Sequence, residues 1–395
     1  MVQYRPAARV AALPPNFFGA MDREIAKLAA EPGPRVINVS KGNPDLPTPE
    51  AIVTAMQAAV ASPSNHRYPA YLPRPKLAEA IALRYRDDHG VDIDPATEVA
   101  IFHGSHEGIM AGIVALAGPG AAVVLPDPGY PAYASAVQLA EARAVTLPLV
   151  PPTYQPDLTA LDGLEGAAVL VLNYPNNPTG ALARPETFVG AGEAARRLGA
   201  VLLHDFAYAS LGFDGRRPLS ALAIDRGHEV TVELSTLSKT YSMAGWRFGY
   251  AAGNASAIAA MRAYQVHAFS TIFGATQDAA TAALTGSQDA AAELVAIYER
   301  RRDLVVEGLR RIGWEPESPE GSFFVWVPVP GGGDDVAFTQ RLQREARVAV
   351  APGSGFGAGG AGHIRLGLVH DEATLAELID RLAAFGAAPT TTAVP

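Results

Sequence analysis

AAVLVLNYPNNPTG, residues 167–180, runs through six apolar residues to an asparagine and then into a turn. The apolar run shows no polar alternation, so a strand built from it is buried on both faces. Such strands belong to parallel sheets covered by helices. Asn-Pro and Thr-Gly then break the chain into a loop. The same pattern recurs in EVAIF (98–102), AAVVLP (121–126), AVLLHD (200–205), VTVELS (230–235) and RFGYAAG (247–253). Between these runs lie amphipathic helical patterns such as HEGIMAGIVALA (106–117), YPAYASAVQLA (130–140) and PETFVGAGEAARRLG (185–199). Alternation of this kind predicts an α/β fold with a mostly parallel central sheet. It predicts a large domain over 45–285.

The pattern then changes. Residues 289–313 read as one long amphipathic helix, FFVWVPV (323–329) and HIRLGLV (363–369) as strands, and AFTQRLQREA (337–346) and LAELIDRLAAF (375–385) as helices. These make a smaller α+β unit over 286–388, which residues 1–44 are expected to join. The last residues, 389–395, are expected to be a mobile tail. A chain of 395 residues is long enough for two such units.

Composition narrows the function. Net charge is −9 and the longest basic run is the three arginines 300–302, flanked by Glu299 and Asp303, which argues against nucleic acid or an anionic membrane surface as partner. With no cysteine, disulfides, thiolate metal sites and cysteine nucleophiles are excluded. No HExxH pattern or other metal signature appears, so no metal is expected. No run of about 20 uninterrupted apolar residues is present, so a cytoplasmic enzyme is expected.

In open parallel sheets, ligands bind beyond the carboxyl ends of the strands. Gly104 and Ser105 open a helix there, a cap on the bland reading and an anion site on the functional one. Tyr130 offers a flat aromatic face or mere packing. Asn177 lies in a turn and could aim an amide at a ligand. Asp205 ends an apolar strand, where a carboxylate needs a partner, with Tyr208 nearby. In TLSKTYSMAGWR (236–247), Lys239 and Arg247 sit among hydroxyls with no acidic residue. A lysine in such surroundings suits Schiff-base chemistry. Together these residues match the needs of pyridoxal 5'-phosphate, whose phosphate, aldehyde and ring nitrogen call for an anion cradle, an amine and a carboxylate.

From KGNPDLPTPE to HIRLGL, with GSHEG, PDPGYPAY, NYPNNPTG, HDFAY and SKTYSMAGWR between, the chain resembles the fold-type I, class I/II aminotransferases. The resemblance implies that Lys239 binds the cofactor's aldehyde and shuttles protons, that Asp205 pairs with the ring nitrogen, and that Tyr208 and Asn177 face the ring hydroxyl. It implies stacking by Tyr130 and a phosphate site of Gly104, Ser105, His106, Thr236, Ser238 and Arg247. Arg365, Asn177 and the backbone of Gly42 are implied to hold the substrate's α-carboxylate. Tyr68 is implied to reach the neighbouring site of a homodimer, although Pro73 stands where the family often has glycine. His106 stands where the family's phosphate loop has lysine or threonine. The opening ALPPNFFGAMDREIAKL and GNPDLPTP look closest to aminotransferases of neutral 2-oxo acids, including 4-methylthio-2-oxobutanoate. Phe17, Phe18 and Tyr71 would supply an apolar wall, and Arg35, Arg67, Arg74 and Arg262 are the candidates for a second carboxylate-binding arginine. A carbon–sulfur β-lyase and an aspartate-type aminotransferase are the alternative enzymes. A non-catalytic regulator and a set of purely structural caps are the alternatives from other classes.

Overall fold

The computed structural model describes residues 4–387, so the tail expected at 389–395 lies outside the described residues. An eight-stranded sheet forms its centre. The strands follow the order Val99–Phe102, Gly249–Gly253, Thr231–Thr236, Val201–Asp205, Val169–Asn173, Ala122–Asp127, Arg143–Val150 and Gln155–Pro156. The run from Thr231–Thr236 to Arg143–Val150 is parallel throughout. Gly249–Gly253 runs against both of its neighbours, and Gln155–Pro156 against Arg143–Val150. Val99–Phe102, Val169–Asn173 and Thr231–Thr236 are buried at every residue, as apolar runs without alternation require.

One long strand was not foreseen. Arg143–Val150 lies near the sheet edge with much of its length exposed. Its sequence RAVTLPLV therefore mixes Arg, Thr and Pro with apolar residues, and the continuous signature that marks the central strands is lost.

The helix Ser105–Leu116 starts directly beyond the carboxyl end of Val99–Phe102 and packs tightly on the sheet. A Cβ at Gly108 would come within 2.9 Å of Leu234 Cδ2, so a larger residue would have to push that side chain aside. The close packing holds the helix's N-terminus at the carboxyl edge of the sheet.

A second, three-stranded antiparallel sheet has His363–Gly367 at its centre, flanked by Phe324–Pro328 and Ala351–Pro352. The long helix Asp289–Arg311 and the helix Glu372–Ala387 pack together beside it, over a core that includes Tyr298, Leu309, Phe323 and Leu366. The strand Ile37–Asn38 pairs in parallel with Val348–Ala349, which ties this part of the N-terminal segment to the smaller sheet's side. The helix Phe17–Ala30 bridges instead: Met21 and Ile25 cluster with Trp326 and Phe356 as well as with Val124 and Leu147. The segment read as one helix over 337–346 is α-helical over Asp335–Arg341 and widens into a π turn over Leu342–Ala346.

Candidate active site

The carboxyl ends of the strands open on a cavity of about 410 Å³. Ser105, Tyr130, Asn177, Asp205 and Lys239 reach it from successive strand ends, and Arg365 reaches it from the smaller sheet.

Lys239 sits in the single helical turn Leu237–Thr240, which Thr236 starts by accepting the Ser238 N–H at 3.2 Å. Its ammonium donates to the Gly42 carbonyl at 2.8 Å and lies 5.3 Å from the centre of the Phe323 ring. Among the described residues it has no carboxylate ion pair. Burial, helped by the charges of Arg247 and Arg365, pulls its pKa down to about 8 against the opposing pull of Asp205.

Asp205 ends its strand with almost no exposure. The Tyr133 hydroxyl donates to its Oδ2 at 2.7 Å and the Ala207 N–H to its Oδ1 at 3.3 Å. Burial raises its pKa, while Tyr133, His204, Ala207 and Lys239 each oppose that rise. A buried carboxylate without an ion pair among the described residues is an acceptor with room for a cationic partner.

Arg365 is 1% exposed. Its guanidinium donates to Asn177 Oδ1 and to the Ser40 carbonyl, both at 2.6 Å, and stacks 3.9 Å from the centre of Phe324. Its Nε is buried with no partner. Burial lowers its pKa to about 10, so it stays charged at neutral pH.

At the other end of the cavity, Gly104 adopts φ +88° immediately before the helix Ser105–Leu116. A Cβ there would stand 2.5 Å from a guanidinium nitrogen of Arg247. That guanidinium donates to the carbonyls of Ala244 at 2.9 Å and His103 at 3.3 Å, which leaves its charge uncompensated by any carboxylate among the described residues. The Thr236 hydroxyl is tied to the Phe248 carbonyl at 2.8 Å and touches the Ser238 hydroxyl at 2.9 Å. A helix N-terminus, a guanidinium and the Ser238 hydroxyl, which Thr236 orients, together form an anion cradle.

Residues 34–382 match the family model for aminotransferase class I and II. The chain belongs to this family. It is 44% identical over 373 residues to the L-glutamine–4-(methylsulfanyl)-2-oxobutanoate aminotransferase of Bacillus subtilis, covering 94% of each chain. It is 40% identical to the LL-diaminopimelate aminotransferase of Syntrophobacter fumaroxidans, covering 95% of this chain and 97% of that one. The substrate-bound structure of BacF from Bacillus subtilis superposes with a TM-score of 0.93 at 36% identity, over 97% of this chain and 98% of that one.

Class I and II aminotransferases depend on pyridoxal phosphate. The residues present fit it: a cradle that a Cβ at Gly104 would fill, a buried carboxylate lacking a cation, and an amine of lowered pKa facing one cavity. His106, Tyr208 and Gly42 also line that cavity, with Tyr208 buried edge-on to Phe323 and Phe324. Tyr68 is not brought in. It is 94% exposed and lies outside the cavity lining of its own chain.

Several lining or supporting residues were missed. Asn173 donates to the Asp205 main-chain oxygen at 2.8 Å and accepts the Asn177 N–H at 2.8 Å, so it links the two strand ends. Its signal was available: like Asp205, it is a polar residue closing an apolar strand. Tyr133, Ser40 and Phe324 act through partners distant in sequence, and nothing local marked them. Lys41 lines the cavity and pairs with Asp22 at 2.5 Å.

Proposed function

We propose that this aminotransferase moves an amino group between a neutral amino acid and a 2-oxo acid by a ping-pong mechanism, with methionine and 4-methylthio-2-oxobutanoate as the favoured pair. One observation carries the reading. Among the described residues, Arg365 and Arg247 are the only arginines lining the cavity, and Arg247 lies at the anion cradle. The other candidates are engaged elsewhere: Arg35 with Glu377, Arg74 with Asp278 and Asn65, and Arg262 with the carbonyls of Val99 and Ala96. Arg67 is exposed and outside the lining. Of the wall expected from Phe17, Phe18 and Tyr71, only Phe18 lines the cavity; with Ile109, Tyr130 and Phe324 it suits an apolar side chain. The activity for which the Bacillus subtilis relative is named supports the same substrate class.

In this reading Arg365, with Asn177, grips the α-carboxylate, since a guanidinium fork matches a planar anion. Lys239 takes and returns the proton at the substrate's α-carbon; a pKa of about 8 leaves roughly one tenth of it neutral at pH 7. Asp205 holds the ring nitrogen, Tyr208 and Asn177 face the ring hydroxyl, and Tyr130 stacks on the ring. The N-terminus at Gly104, Ser105 and His106, with Thr236, Ser238 and Arg247, receives the phosphate. When bound, pyridoxal phosphate supplies the electron sink for the α-carbon's charge.

The same proposal includes a homodimer in which Tyr68 serves the neighbouring site. Tyr68, Tyr71 and Leu72 are exposed, as are Phe269 and Phe273, and Thr271 hydrogen-bonds the Ala70 carbonyl at 3.2 Å between the two groups. A clustered apolar surface of this kind suits a subunit contact. It also includes a division into a large unit (45–285) and a small one (1–44 with 286–388), which the separate three-stranded sheet supports.

A second reading has a specific basis. Lys41 and Asp22 set a cation and an anion by the cavity, which would suit a substrate with a distal ammonium and carboxylate such as LL-diaminopimelate. A panel of L-methionine, L-glutamine, LL-diaminopimelate and L-aspartate against several 2-oxo acids decides between them. Aspartate or LL-diaminopimelate turning over many-fold faster than methionine refutes the neutral-substrate reading. Pyruvate released from cystathionine without an oxo-acid acceptor would mark a β-lyase.

A further inference from the structure

Next to Asp205 in the chain lies a buried charged pair for which the reading above has no use. His204 and Glu233, on adjacent parallel strands, both have no exposed surface. His204 and Asp205 are successive strand residues, so their side chains leave the sheet on opposite faces. Asp205 lines the cavity, whereas His204 packs between the rings of Phe188 and Phe206, each with its centre 4.7 Å away.

Hydrogen bonds reach both nitrogens of the imidazole. Its Nε2 lies 3.0 Å from the Tyr174 carbonyl oxygen, which can only accept, so Nε2 carries a hydrogen. Its Nδ1 lies 2.8 Å from Glu233 Oε1. Glu233 already accepts from the Ala221 N–H at 2.5 Å and from the Ser220 hydroxyl at 2.8 Å, as a carboxylate does. Burial alone would raise its pKa, yet His204, His89 and Ser220 leave it below the ordinary glutamate value.

We propose that His204 is a positioning residue: as an imidazolium held by Glu233, it pins the Tyr174 carbonyl, and with it the turn that bears Asn177, and it places a fixed positive charge beside Asp205 that keeps this carboxylate ionised toward the cofactor's ring nitrogen. The inference rests on the role of Asp205 given above. The turn is well tied from both ends, because Asn173 also joins it to the Asp205 main chain. His204 is among the groups that oppose the rise of the Asp205 pKa on burial. The other ionisable groups coupled to the pair are Tyr85 and His89 of the helix Pro75–His89, and Tyr250, with Arg217 acting on His89.

His204→Phe alone would strand a buried carboxylate and is at risk of failing to fold. The informative variant is the double replacement His204→Gln with Glu233→Gln, which retains donors and acceptors and removes both charges. Two probes are titrated into the apoprotein: pyridoxal phosphate and 1-deazapyridoxal phosphate, which has carbon in place of the ring nitrogen. Wild type should prefer pyridoxal phosphate. In the double variant, with its melting temperature checked, that preference should fall about tenfold, the low end of what a neighbouring opposite charge does to a carboxylate's proton affinity. The absorbance of bound pyridoxal phosphate should also change its pH profile. An unchanged preference ratio, whether both affinities fall together or neither does, overturns the role of His204. If wild type itself shows no preference, the Asp205 assignment fails, and the present inference with it.

Discussion

Arg365→Lys is the sharpest test of how the cavity holds its substrate. The substitution keeps a positive charge and most of the side chain's length, so it isolates the geometry of the guanidinium. In the native site that group spends two nitrogens on Asn177 and Ser40, at 2.6 Å each, while its flat face lies on Phe324 at 3.9 Å. Its buried Nε has no partner within the chain. A lysine ammonium is a point charge and cannot satisfy these directions together. Losing one charge-assisted bond to the carboxylate costs about 1.5–3 kcal/mol, or roughly 10- to 150-fold in kcat/KM. The loss should fall chiefly on KM, because the carboxylate is bound equally before and during the chemical step. The assay is the first half-reaction, followed by the absorbance change of bound pyridoxal phosphate, with L-methionine and with 3-(methylthio)propylamine, which lacks the carboxylate. Methionine should suffer and the amine should not. A loss under about threefold with methionine, or equal losses with both, would refute the assignment of Arg365 to the α-carboxylate.

Two further outcomes follow from the geometry. Gly104→Ala forces a Cβ onto the Arg247 guanidinium at a backbone angle that glycine tolerates, so it should cost roughly 1–3 kcal/mol of apoprotein stability. It should also weaken binding of pyridoxal phosphate more than of pyridoxal, and equal weakening of both would deny Gly104 a place in the phosphate site. The Lys239 amine, pulled down to about 8, attacks an aldehyde only when neutral, so the rate of cofactor capture by the apoprotein should rise with pH to a midpoint near 8. The direction follows from the sign: a lowered lysine pKa brings the neutral form in at lower pH than in a free lysine. A midpoint above 10, measured by stopped-flow absorbance, contradicts it.

Legibility followed locality. Central strands are long apolar runs because both faces are covered, and that pattern lies in a few adjacent residues. Asp205, which closes one of those strands, and Lys239, in the turn just beyond another, stand out as polar groups where the pattern breaks. Arg143–Val150 escaped because an exposed face dilutes the run. The role of Tyr68 was read by resemblance alone, and within one chain its side chain stays outside the cavity.

The substrate end of the cavity illustrates the other limit. Arg365 meets Asn177 across 188 positions and Ser40 across 325, and its aromatic seat joins Phe324, Phe356 and Phe18 from three further segments. No window of sequence contains that arrangement. The anion cradle, by contrast, is built largely from two short windows, 104–106 and 236–247, whose members are positioned by a helix start and a single turn. This division has a physical origin. The residues proposed for the cofactor come from strand ends of one sheet, where backbone hydrogen bonding fixes the register. Those proposed for the substrate depend on docking the helix Phe17–Ala30 and the three-stranded sheet against that edge. Substrate choice can therefore shift through changes in how Phe18, Lys41 and the Arg365 strand pack, with the cradle and the Lys239 turn untouched. That is consistent with relatives of similar identity bearing the names of an L-glutamine–4-(methylsulfanyl)-2-oxobutanoate and an LL-diaminopimelate aminotransferase.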